Sequence, residues 1–104
     1  VGANAWFIMN SSPATQLVAQ RTTNLFGLFD ISGNVAEWVW DTSGSAYPTG
    51  TFTDNLGPAV SVLKVRRGGG HASGVSLITS SDRFGTGAGI QSSFIGMRLA
   101  RVAP

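Results

Sequence analysis

The sequence predicts an α+β domain of short strands and long loops, with little helix. Three observations carry that prediction. No segment of the 104 residues sustains a 3.6-residue apolar period. The apolar runs are short and bounded by Gly, Pro, Asn, Asp and Ser. Glycine contributes 14 residues, while charged residues make up only 12%, about half the usual ~25%. An apolar content of 42% still supplies a core, which argues against a disordered chain. Neither a repeat nor a linker divides the sequence, so residues 1–104 are expected to form a single domain.

The elements follow in order. Pro13 breaks any helix in the first twenty residues, and Leu17–Gln20 is expected to be a short strand. Thr22-Thr23-Asn24 signals a turn, and Leu25–Phe29 is an apolar run containing Gly27. Asp30–Asn34 is rich in turn formers and leads into a dense strand, Val35–Trp40, interrupted by Glu37. Residues 41–58 form a long polar loop. Val60–Val65 reads as a strand and Arg66–Gly70 as a tight backbone feature, since three consecutive glycines have no side chains to pack. Val75–Ile78 is expected to be a strand, Phe84–Gly89 a glycine-rich loop, and Phe94–Val102 a last apolar stretch. Ordered loops of such length usually carry function.

Composition removes several functions. With no Cys, disulfides, thiolate metal sites and thiol catalysis are excluded. His71 is the only histidine, which leaves no multi-His metal centre. Residues 1–60 carry net −3 and residues 61–104 net +5. Six scattered basic residues in the later part are a thin footprint for nucleic acid, and none is expected as a partner. No apolar run approaches the ~20 residues that cross a bilayer, so no membrane insertion is expected. The opening residues, Val1-Gly2-Ala3-Asn4, suggest a processed product or an excerpt of a longer chain.

The most informative stretch is Asn24-Leu25-Phe26-Gly27-Leu28-Phe29-Asp30-Ile31-Ser32-Gly33-Asn34-Val35-Ala36-Glu37-Trp38. Asp30 and Glu37 stand seven residues apart with a Gly-Asn turn between them. Such a turn can aim backbone carbonyls at the point both carboxylates face, an all-oxygen set that suits Ca²⁺. Spacing alone equally allows Asp30 to cap a turn, Asn34 to adopt a left-handed conformation and Glu37 to be an ordinary strand residue. Strand alternation places Glu37 with Val35 and Val39, opposite Trp38 and Trp40, and a carboxylate among apolar neighbours needs a partner.

This stretch resembles the signature N-x-x-G-L-Y-D-M-x-G-N-V-W-E-W of the formylglycine-generating-enzyme (sulfatase-modifying factor) domain. The resemblance continues through Ala5-Trp6-Phe7, Asn10-Ser11, Asn55-Leu56-Gly57-Pro58, Lys64-Val65-Arg66-Arg67-Gly68-Gly69, Arg83 and Gly96-Met97-Arg98-Leu99-Ala100-Arg101. It spans nearly all of the chain and corresponds to the C-terminal part of a full family domain. It implies a C-type-lectin-like fold and a structural calcium site, with side-chain oxygens from Asp30 and Glu37 and carbonyl oxygens from Gly33 and Val35. The family's best-known activity uses a copper-binding cysteine pair, and other members use an iron-binding histidine cluster. This chain supplies neither.

Departures from the family lie downstream, where Gly70-His71 stands in place of the usual Ser-Trp. Residues 70–94 also resemble the variable segment of diversity-generating retroelement proteins, which share the lectin fold. Adenine mutagenesis of Asn codons cannot yield Lys, Glu, Gln, Met or Trp. Of these, residues 70–94 hold only Gln91. Arg66, Arg67, Arg83 and Arg98 could form an anion site with the Gly68–Gly70 amides; alternatively, Arg67, Arg83 and Arg98 brace loops to carbonyls and to Asp82 or Asp41.

The expectation is therefore a non-catalytic recognition domain, extracellular or surface-exposed. It would present His71, Ser73, Leu77, Thr79, Phe84, Thr86 and Phe94 to a protein or glycan ligand. Two alternatives stand beside it: the C-terminal part of an enzyme of this family, and a structural or self-assembling surface protein.

Overall fold

A computed structural model describes residues 2–44, 49–51, 53, 57–58 and 61–103. Among them, β1 (Ala36–Thr42), β2 (Leu63–Arg67), β3 (Arg83–Gly87) and β4 (Ile95–Gly96) form one sheet in the order β3-β2-β1-β4. β1 arises where the signature ends in Trp38-Val39-Trp40, aromatic and β-branched residues that fit a half-buried pleat. It pairs antiparallel with β2, Glu37 opposite Arg67 and Trp38 opposite Arg66, with a register shift before Thr42. β2 pairs antiparallel with β3, Lys64 opposite Thr86 and Arg66 opposite Phe84. β4 lies parallel to the start of β1. Directly opposed residues share a face, so Trp38, Arg66 and Phe84 project together, while Val65 points the other way and is buried.

Three local expectations are corrected. Residues Val75–Leu77 form a 3₁₀ turn rather than a strand, with the Leu77 amide donating to the Gly74 carbonyl. Four residues, three of them apolar, are too few to distinguish the two by pattern. The stretch expected as a glycine-rich loop from Phe84 contains β3, because Gly85 lets that strand pass close to Ser43 and Leu63. Leu17–Gln20 is not a strand: Ala19 turns the chain at φ +59° and gives its amide to Asp30 Oδ2 at 2.8 Å. Val60, the start of another expected strand, lies outside the described residues, as do Asn55 and Leu56 of the downstream motif.

Among the described residues, the buried apolar ones are few and mostly small: Ala5, Ala36, Val65 and Ile78. Buried polar residues take up much of the holding. Gly33 donates to the Gly68 carbonyl at 2.7 Å, Asn34 to Trp6 at 2.8 Å, and His71 to Asn34 at 2.7 Å. The Asn34 carboxamide accepts from the Gln16 amide at 2.9 Å and donates to the Gln16 carbonyl at 3.0 Å. Three other stretches of chain, at Trp6, Gln16 and Gly68–His71, thus meet at the Gly33–Asn34 turn. Large apolar side chains, Leu25 and Phe26 among them, stay exposed. No helix among the described residues is long and apolar enough to cross a membrane.

Candidate functional site

Two clefts carry the chemistry. The first, about 290 Å³, is bordered by Asp30, Gly33, Val35 and Glu37, the four residues of the expected calcium set, together with Arg98. Asp30 holds φ +53° and Asn34 φ +65°, which folds the turn back towards β1. Asp30 is buried; its Oδ2 accepts the Ala19 amide, and its Oδ1 has no partner among the described residues. Glu37 finds its expected partner in Arg98, whose Nη2 and Nε approach the carboxylate at 2.8 and 3.0 Å. The same Nη2 donates to the Asp30 carbonyl at 3.2 Å. One guanidinium therefore joins the turn to the strand, a brace as expected, with Glu37 rather than Asp82 or Asp41 as its carboxylate. Hydrogen bonding to Glu37 raises Arg98 above the ordinary guanidinium value, against desolvation, with the charges of Glu37 and Asp30 adding to the rise. The Arg98 side of the brace is thus charged below that ordinary value and gives up its proton only as pH climbs through the raised one.

The second cleft, about 390 Å³, opens beside the sheet face that carries Arg66. Ser73, Thr86 and Phe94 line it with Arg66, Ile90 and Ser92. Phe84 is 61% exposed and lies under the Arg66 guanidinium at 4.8 Å. Arg66 Nε donates to Thr86 Oγ1 at 2.9 Å. His71 is not presented at the surface: it is buried, and its ring stacks on Phe94 at 4.9 Å between centroids. Neither of its ring nitrogens has a partner among the described residues. Leu77 and Thr79 are exposed but border neither cleft. They sit in or beside the 3₁₀ turn, near the Ser80 carbonyl that Arg67 Nη1 holds at 3.2 Å. Sequence reasoning did not nominate Ile90 or Ser92, and the Ser/Thr-rich composition around them gives no signal that singles them out.

Residues 2–103 match the family described as a sulfatase-modifying factor enzyme 1-like domain. The chain belongs to that family. Among solved structures, this family member is similar to Treponema denticola variable protein 1, at 34% identity and a TM-score of 0.86. The match covers 92% of this chain and 35% of that one, so the chain spans about a third of the relative's length. The fold is C-type-lectin-like, with a small sheet and almost no helix, as the signature motif implied. No curated protein matches the chain.

Proposed function

We propose that this chain is a non-catalytic ligand-recognition domain that presents part of residues 70–94 to a protein or glycan. The observation that carries the reading is the second cleft. Ser73, Thr86 and Phe94, nominated from sequence, line it together, and Phe84 and His71 contact its walls through Arg66 and Phe94. Similarity to a protein named as variable supports a rigid frame under exchangeable residues, and the scarcity of Lys, Glu, Gln, Met and Trp in 70–94 agrees with it. A location at a surface or outside the cell fits that role.

Arrays of proteins and of glycans, probed with the chain and with its Phe84→Ala and Phe94→Leu variants, test this reading. Phe94→Leu keeps an apolar cover over His71. The expected result is a binder whose signal falls at least about tenfold with either variant while melting is unchanged. Binders indifferent to both substitutions would overturn the reading.

We further propose that calcium binds in the first cleft, held by Asp30 and Glu37 side chains and by Gly33 and Val35 carbonyls. The unpartnered, buried Asp30 Oδ1 supports the fit. Glu37 Oε1 already accepts from both Nε and Nη2 of Arg98, whereas Oε2 accepts one bond and keeps a lone pair to share. The ion would supply a structural clamp between turn and strand. Calcium at about a hundred times its Kd is expected to stabilise the fold by ~2.7 kcal/mol. Asp30→Asn should remove most of that gain. An identical melting temperature in calcium and in excess chelator, with no metal by elemental analysis, sinks the proposal.

A further inference from the structure

The second cleft has a donor pattern that selects its ligand, on the reading that it is the recognition site. Arg66 is fixed from two sides: Nε is bound to Thr86 Oγ1, and the guanidinium plane lies over the Phe84 ring. Its two terminal nitrogens make no hydrogen bond to the described residues, and no Asp or Glu among them pairs with it. The hydroxyls around it each accept one bond already. Ser73 Oγ accepts from the Gly70 amide at 2.9 Å, and Ser92 Oγ accepts from the Phe94 amide at 3.1 Å. Thr86 Oγ1 accepts from Arg66. Each hydroxyl therefore keeps its proton for a ligand. Among the described residues, no carboxylate or carboxamide side chain lines the cleft, while Ile90, Ile95 and Phe94 make its other wall apolar.

We propose that this cleft binds the carboxylate of an acidic side chain on a protein ligand. A carboxylate only accepts, and a planar guanidinium edge matches its two oxygens. The short methylene stem of Asp or Glu would lie against the isoleucines and Phe94. A neutral sugar fits less well, since it brings no negative charge to answer the guanidinium.

The probe is an acetylated, amidated pentapeptide Gly-Ser-Glu-Ser-Gly, titrated into the labelled chain. The NMR signals followed are the Arg66 Nε–H and the amides of Ser73, Ser92 and Phe94. Saturable shifts at these positions are expected, with the Gln counterpart binding at least about tenfold more weakly. Arg66→Gln should abolish the shifts, and Arg66→Lys should retain partial binding because charge survives without the fork. Arg101→Gln, an equal charge change at an exposed position, should leave binding intact. Equal binding of the Glu and Gln peptides overturns the proposal, as does equal loss in Arg101→Gln, which would mean diffuse attraction. Tighter binding of glucuronate than of the peptide overturns it in favour of an acidic glycan. An array binder that needs Phe94 but ignores Arg66→Gln would end this proposal and leave the recognition reading standing.

Discussion

Gly33→Ala is expected to unfold the chain or to destabilise it by about 4 kcal/mol or more, the range reserved for a change the structure cannot absorb. A methyl group at Gly33 would run into the Trp6 carbonyl, with the Trp6 nitrogen at 2.9 Å. Both obstacles are backbone, so neither can rotate away. The position also holds φ +84°, which an L side chain adopts at a cost of roughly 1–2 kcal/mol. Retreat of Trp6 would stretch the bond from the Asn34 amide to the Trp6 carbonyl and disturb that from Gly33 to Gly68. Gly27→Ala is the control: it has φ +74° but nothing within 4 Å of the new methyl, so only the conformational cost of roughly 1–2 kcal/mol applies. Urea unfolding of both variants measures the difference. Equal losses would mean that the crossing at Trp6 does not constrain the fold.

Asn34→Ala is expected to cost about 2–4 kcal/mol, from two sources that can be separated. Removing the carboxamide leaves the half-buried Gln16 amide and carbonyl without their partners, at up to roughly 1–3 kcal/mol. Alanine at φ +65° adds conformational strain that asparagine tolerates better. Asn34→Gly removes the hydrogen bonds but not the conformational fit, so it should be the milder variant. A denaturant midpoint for Asn34→Ala close to that of the parent chain would show that the turn is held by its main-chain bonds to Trp6 and His71 alone.

These two residues also show how much could be read in advance. Gly33 and Asn34 stand in a motif whose residue types already demand a left-handed turn, and Asp30 and Glu37 flank it at a spacing that brings both to one cleft. The strand after the turn was legible because Trp38-Val39-Trp40 has few alternatives to a pleated surface. β3 was not: Arg83–Gly87 has two glycines among five residues, and only the closeness of Ser43 explains Gly85. The 3₁₀ turn at Val75–Leu77 was equally hidden, since three residues are too few for a period to appear.

The candidate site divides in the same way. Ser73, Thr86 and Phe94 were nominated by residue type and meet in one cleft. His71 was nominated with them but is packed beneath Phe94, where an imidazole serves as a flat wall.

The sequence alone determined the family, the polar turn at Gly33–Asn34 and the strand that follows it, because local conformational preference leaves those residues few options. The tertiary structure decided which distant groups share each charge: Arg98 reaches across 61 residues to Glu37, and Arg66 faces its cleft with two terminal nitrogens unused by the described residues. The physical reason is that hydrogen-bond partnership depends on orientation over a few ångströms, and in a chain of long loops no periodic pattern carries that information along the sequence.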